Sequence, residues 1–257
     1  MNKIFWEKVK IKEKINFSKE IIGFWLITEN IGKNSKMGQF IHIKINENSN
    51  LLLRRPFSIA DVKDSEIFFI FRIVGKGTFL LSKLNKNDEI DILGPLGKAI
   101  EIPEEKDILI FGGGLGIAPL YLLSKTLIEN KKNLFVILGA KNYEELILKE
   151  KFENLNLNKL IFCTEDGSYG IKGKVTDGIP QLIEKREFKI AYVSGPLEML
   201  RKIKSMLEKR IKIYGFLEER MGCGVGLCAC CAVPKIDGTY IHLCEEGPCL
   251  LLEEILL

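Results

Sequence analysis

Four cysteines of this 257-residue chain stand at a spacing that carries chemistry: Cys223-x4-Cys228-x2-Cys231-x12-Cys244. C-x4-C-x2-C with one distal cysteine suits two irons bridged by sulfide, the plant-type [2Fe–2S] arrangement. Four thiolates repel one another, so such a site needs the positive charge of the irons and N–H donors from the intervening loop. Gly222, Gly224 and Gly226 fit that need, because a loop wrapped round a cluster requires positive φ angles and close approach of backbone to sulfur. Six of the seven cysteines fall in the last 35 residues. In a reducing cytosol such crowding reads as metal or redox chemistry rather than as disulfides.

The same residues admit other readings. Structural zinc prefers two short C-x2-4-C knuckles, and the distal half here offers only Cys244-x4-Cys249, so a zinc-bearing interaction module on an inactive scaffold is the weaker alternative. A Rieske centre needs two histidine ligands, and the one nearby histidine, His242, reads as a strand residue. Cys230 abuts Cys231 and leaves open a one-residue slip to C-x4-C-x-C. Cys249 and Cys163 read as small buried apolar residues.

Two further motifs point to phosphate-bearing ligands. Arg55-Pro56-Phe57-Ser58 follows the apolar run Leu51–Leu53 at a strand end or turn; an arginine there can grip a phosphate bidentately and a serine can hydrogen-bond a flavin ring. Then comes Phe71-Arg72-Ile73-Val74-Gly75-Lys76-Gly77-Thr78, a second arginine leading into a glycine turn and a helix expected to start at Thr78, where backbone N–H groups would face a pyrophosphate. Further on, Gly112-Gly113-Gly114-Leu115-Gly116-Ile117-Ala118-Pro119 joins a strand to a helix, with Pro119 where the last glycine of the dinucleotide fingerprint would stand. Small residues at Gly113, Gly114 and Gly116 let a nicotinamide nucleotide approach the helix. Ser194-Gly195-Pro196 repeats the device. Tight βα turns explain either motif alone but not why both sit at the strand ends where open α/β sheets bind ligands.

The elements that must position these motifs change character along the chain. Residues 1 to about 100 read as short strands separated by Asn, Gly, Lys and Asp turns (KVKIKEKI, FWLIT, FIHIKI, EIFFIFRIV, EIDILGPLG), which predicts a small antiparallel β-barrel. From Asp107 apolar strands alternate with helices over 117–130, 143–155 and 197–210, which predicts a parallel sheet in an open α/β domain. After Ile213 the periodicity ends. The expected class is a multidomain α+β chain: a barrel over 1–101, a nucleotide-binding α/β domain over 102–214 and a small ferredoxin-like subdomain over 215–257. Composition is that of an ordinary globular protein, 46% apolar and 28% charged, and a net charge of +4 from scattered lysines argues against nucleic acid as a partner. The longest uncharged run, Ile108 to Ser124, is broken by glycines and Pro119 and falls short of a membrane span of roughly 20 residues. The N-terminus lacks a secretory signal, so a cytoplasmic location is expected.

The order RPFS, FRIVGKGT, GGGLGIAP, TEDGSYGIKGKVTD, SGP and Glu218-x-x-Met221-Gly222-Cys223-Gly224-x-Gly226-x-Cys228 resembles the electron-transfer subunits of NAD-linked, class 1B dihydroorotate dehydrogenases, within the ferredoxin–NADP reductase superfamily. The resemblance spans essentially the whole chain. It implies FAD contacts at Arg55, Pro56, Phe57, Ser58, Arg72, Ile73, Val74, Gly77 and Thr78, and a cluster on Cys223, Cys228, Cys231 and Cys244. It also implies a separate FMN-containing catalytic subunit, two copies of each chain, that oxidises dihydroorotate during pyrimidine (UMP) synthesis. Electrons would pass singly through the cluster to FAD and as hydride to NAD+, the preference over NADP resting on the resemblance alone, and no general base for dihydroorotate is expected in this chain. A subunit of another NAD(P)H:ferredoxin or sulfide oxidoreductase shares the same modules.

Overall fold

The structure, a computed structural model, describes residues 3–45, 51–183 and 186–257. It divides into two compact units: Met1–Ile100 with Glu218–Val233 and Tyr240–Pro248, and Glu101–Leu217 with Pro234–Thr239 and Cys249–Leu257. The C-terminal 40 or so residues are thus distributed between both units.

The first unit is built on β1 (Phe5–Asn16), β2 (Ile21–Ile27), a single turn α1 (Ile31–Asn34), β3 (Phe40–Lys44), β4 (Arg55–Ser58), β5 (Asp61–Lys63), β6 (Glu66–Arg72), α2 (Lys76–Ser82) and β7 (Glu89–Leu96). These strands form one antiparallel sheet in the order β4-β3-β7-β1-β2-β6-β5. Alternation in β1 buries Val9 and Ile11 and leaves the intervening lysines in water. The sheet curls because its edges share a core: Phe57 of β4 lies 5.2 Å from Phe69 and 5.9 Å from Phe71 of β6, and Phe24 of β2 meets both. The RPFS motif, expected at a strand end or turn, is itself the edge strand β4. Its Pro56 lacks a ladder donor, which an edge tolerates.

The second unit contains β8 (Asp107–Gly113), α3 (Ile117–Glu129), β9 (Asn133–Ala140), α4 (Lys149–Glu153), β10 (Lys159–Thr164), β11 (Ile171–Lys172), α5 (Val175–Gly178), α6 (Pro180–Ile183), β12 (Ile190–Ser194), α7 (Leu197–Leu207) and β13 (Lys212–Phe216). Its sheet runs β11-β10-β9-β8-β12-β13-β16, where β16 (Cys249–Leu251) is antiparallel to β13 and the other pairings are parallel. Strand order reverses beside β8, so the switch point lies at the ends of β8 and β12.

Two expectations are corrected. Residues 143–155 do not form one helix: Leu146, Ile147 and Leu148 are all buried, which a single apolar stripe cannot achieve, and Leu148 at φ 58° breaks the chain before α4. Periodicity does not end at Ile213, since Lys212–Phe216 is a sixth parallel strand; Gly215 within it accommodates the side chain of Leu252. Between β13 and β16 come the cysteine loop, the short hairpin β14 (Ala232–Pro234) and β15 (Tyr240–His242), and the turn α8 (Leu243–Glu246). Among the described residues no helix is long and apolar enough to cross a membrane.

Candidate functional site

Cys223, Cys228, Cys231 and Cys244 come together, although 12 residues separate the last two. Backbone N–H groups converge on the sulfurs: Val225 and Leu227 donate to Cys223 Sγ at 3.4 and 3.3 Å, Gly226 to Cys244 Sγ at 3.1 Å, Cys223 to Cys228 Sγ at 3.4 Å and Cys244 to Cys231 Sγ at 3.4 Å. Gly224 (φ 76°) and Gly226 (φ 78°) turn these amides inward. Gly222 has no positive φ; its need is space, because a Cβ there would lie 3.0 Å from Cys228 Sγ. Cys231 and Cys244 are buried and Cys228 is exposed, so the group is held at one edge and open at the other.

The electrostatics are uneven. Burial raises the Cys223 thiol, but the N–H groups of Val225, Cys228 and Leu227 outweigh it and bring its pKa down to about 7. Burial and the neighbouring Cys231 thiol push Cys244 up to about 12. Cys223 and Cys244, opposed in this way, become thiolates together only when cations displace their protons. Cys223 has Cys228 as its side-chain partner and Cys244 has Cys231. Two pairs of thiols with five amide donors suit two bridged irons. Cys230 is exposed, and no amide donates to its sulfur among the described residues. Cys163 is fully buried with its thiol raised to about 11 by burial, as a core residue should be, while Cys249 is half-buried in β16.

The two flavin-type motifs meet in the first unit. Arg55 lies against α2, its Nε 3.4 Å from where a Cβ on Gly77 would stand, and Gly75 is open to solvent. Arg54 beside it is structural: it pairs with Asp91 at 2.6 Å, and Asp91 also accepts from Trp6 Nε1 at 2.7 Å. Arg72 pairs with Glu20 at 3.4 Å, and Ile73 donates its N–H to the Glu20 carbonyl. Apolar side chains next to these motifs in sequence stay uncovered, Val74 at 78% and Leu52 at 96% exposure. The helix starts at Lys76 rather than Thr78. Thr78 sits in its first turn, where Oγ1 accepts the N–H groups of Val74 and Gly75, because glycine at the N-cap has no side chain to cap with.

In the second unit the two glycine motifs pack on each other. A Cβ on Gly116 would stand 2.5 Å from the Gly195 nitrogen, and one on Gly113 would lie 2.6 Å from Met199 Sδ. Gly114 (φ 54°) has nothing within 4 Å of its Cβ position, so its face is open for a ligand above the uncapped start of α3. Pro119 fits the first turn of that helix, where its missing N–H has no partner to lose.

A residue unremarked in the sequence lies between the barrel and the cysteine loop. His42 in β3 is fully buried, neither ring nitrogen has a hydrogen-bond partner, and burial together with Arg54 lowers its pKa to about 4. A Cβ on Gly224 would stand 2.8 Å from His42 Nδ1 and Cε1 and 3.1 Å from Leu96 Cδ1. The turn that follows Cys244 is held as well, where the backbone N–H of Lys98 donates to the Gly247 carbonyl at 2.7 Å. One histidine in an apolar strand, FIHIKI, gives no signal of this; only the tertiary contact does.

A curled flavin-type sheet, a parallel nucleotide sheet and a ferredoxin-like cysteine loop define the class of ferredoxin-reductase-type electron-transfer proteins. Sequence profiles match in two places: the iron–sulfur cluster binding domain of dihydroorotate dehydrogenase B over residues 218–256 and the oxidoreductase NAD-binding domain over 110–205. The chain is 36% identical over 231 residues, 87% of each chain, to the dihydroorotate dehydrogenase B (NAD(+)) electron transfer subunit of Shouchella clausii. It is 34% identical to the Thermotoga maritima homolog of that subunit, covering 96% of this chain and 86% of that one. The structure of an NADH-dependent reduced ferredoxin-NADP oxidoreductase superposes with a TM-score of 0.89 at 31% identity, covering 97% of this chain and 90% of that one. The chain belongs to the family of dihydroorotate dehydrogenase B electron-transfer subunits.

Proposed function

We propose that this chain is the electron-transfer subunit of an NAD+-linked dihydroorotate dehydrogenase in cytoplasmic UMP synthesis. The observation that carries the reading is the convergence of five backbone N–H groups on four paired thiols, in a chain that also carries the arginine and glycine motifs suited to two nucleotides. Its functional divisions are 1–101 for FAD, 102–214 for NAD and 215–257 for the cluster. When bound, the [2Fe–2S] cluster relays single electrons and the flavin joins them into the pair and proton that NAD+ accepts as hydride.

The residues bind and orient. Cys223, Cys228, Cys231 and Cys244 hold the irons, and the amides of Val225, Gly226 and Leu227 offset thiolate charge. Arg55 meets a phosphate of FAD beside Gly77 and Thr78, while Pro56, Phe57 and Ser58 on β4, with Arg72, Ile73 and Val74 at the end of β6, cover the rest of it. Gly113, Gly114 and Gly116 let NAD approach the start of α3. No side chain of this chain serves as a proton-transfer catalyst for dihydroorotate; that step belongs to a partner subunit containing FMN, assembled as two copies of each chain.

The decisive experiment is coexpression with the candidate catalytic subunit, anaerobic purification and assay of dihydroorotate-dependent NAD+ reduction. Iron and acid-labile sulfide at about two each per chain are expected; zinc in their place would overturn the reading. The 31% identity to a ferredoxin-NADP oxidoreductase over nearly the whole chain favours one other reading, a subunit that couples NADH to ferredoxin and NADP. Failure with dihydroorotate together with NADH oxidation by ferredoxin would establish it.

A further inference from the structure

We propose that His42 is a positioning residue for the cluster: seated beneath Gly224, it fixes the cysteine loop on the barrel and supplies the buried imidazole N–H that sets the cluster's reduction potential. The inference rests on the cluster reading above.

The argument begins with a misfit. β3 is otherwise apolar where it is buried, and Phe40, Ile41 and Ile43 fill its neighbouring positions. An imidazole in their midst with both nitrogens unpartnered is a poor choice for packing alone, since a buried polar group without a partner loses its hydration for nothing. A neutral imidazole carries one donor and one acceptor, so the ring has an N–H to give. Its surroundings set that donor beside the cysteine loop. On one side the ring meets the backbone of Gly224, between the ligand Cys223 and Val225, whose N–H already points to Cys223 Sγ. Across the ladder His42 pairs with Pro56, inside the flavin motif. One side chain therefore touches the loop that carries the thiolates and belongs to the strand pair that carries the flavin motif. Phe40 stacks edge-on against the ring at 5.7 Å and restricts its rotation. Bonded to no sulfur in this structure, an imidazole N–H held against the backbone that carries the thiolates would add positive potential beside them, stabilise the reduced, more negative cluster and raise its potential.

The test uses the full-length protein, purified anaerobically with FAD and cluster in place and with iron and sulfide content measured first. At the potential where the wild-type cluster is half reduced, the electron paramagnetic resonance signal of His42→Leu is expected to show the reduced-to-oxidised ratio lowered about tenfold, equivalent to ~59 mV for one electron. His42→Gln, which keeps an N–H donor, should restore the ratio to within about threefold of wild type, or ~30 mV on the same scale. An unchanged ratio in His42→Leu overturns the proposal, and so do equal shifts in both variants, which would mean that shape alone matters. Should His42→Leu not fold, the unmutated ring remains testable. The chain has two histidines, so His242→Asn protein grown with 15N-histidine leaves His42 as the single labelled source. Hyperfine coupling of that nitrogen to the reduced cluster supports the assignment, and its absence removes it. Protein without iron and sulfide would instead refute the cluster reading itself.

Discussion

Gly116 and Gly195 are in backbone contact, with a Cβ on the first standing 2.5 Å from the nitrogen of the second. This contact locks the turn after β8 to the turn after β12 at the switch point of the nucleotide sheet. Gly116→Val should drive the two turns apart at a cost of about 1–3 kcal/mol. The measurement is NADH oxidation with ferricyanide, where kcat/KM should fall by at least about tenfold while iron and flavin contents stay at wild-type levels. Unaltered kinetics would separate this contact from nucleotide binding.

Adjacent arginines should behave differently. Arg55→Ala should weaken FAD retention by about 10- to 100-fold, the value of a charge-assisted hydrogen bond or two, read by flavin fluorescence released on dilution. Arg54→Ala breaks the half-buried pair with Asp91 and should lower stability by about 1–3 kcal/mol with flavin affinity largely kept. If the two phenotypes were exchanged, the assignment of the phosphate to Arg55 would be wrong.

Among the C-terminal cysteines, serine replacement of Cys223, Cys228, Cys231 or Cys244 should abolish or strongly reduce bound iron. Cys230→Ser should retain about two irons per chain, because among the described residues no amide donates to its sulfur. Iron loss in Cys230→Ser with retention in Cys231→Ser would shift the ligand set by one residue.

Acid should destabilise the fold through His42. The ring protonates near pH 4 when folded and near 6.5 when free, so between those values the unfolded chain binds more protons and stability falls as pH is lowered. The limiting slope is about 1.4 kcal/mol per pH unit. Urea midpoints at pH 6.5 and 5.5 should show a wild-type loss that His42→Leu lacks; equal losses in both would place the acid sensitivity elsewhere.

Local patterns in the sequence marked most of what positions the site. The alternation of Val9 and Ile11 with lysines, and the apolar runs that become β8, β9, β10 and β12, were legible because side-chain period follows strand burial. The four cysteines that the fold brings together were legible because their spacing is local apart from Cys244. What escaped depends on contacts distant in sequence. Lys212–Phe216 becomes a strand only because β12 and β16 pair on its two sides, and Thr78 lies inside rather than at the start of its helix because its hydroxyl reaches back to Gly75. His42 acquires meaning only when Gly224, 182 positions later, settles on it.

Phe216 and Cys249 face each other across the β13–β16 ladder, so the segment that carries all four ligands departs from one sheet edge and returns to it. A ribosome delivers the returning strand after every one of those cysteines. The clasp that closes the segment is therefore the last piece of the sheet to be synthesised, and until it pairs with β13 the segment between them is tethered at one end alone.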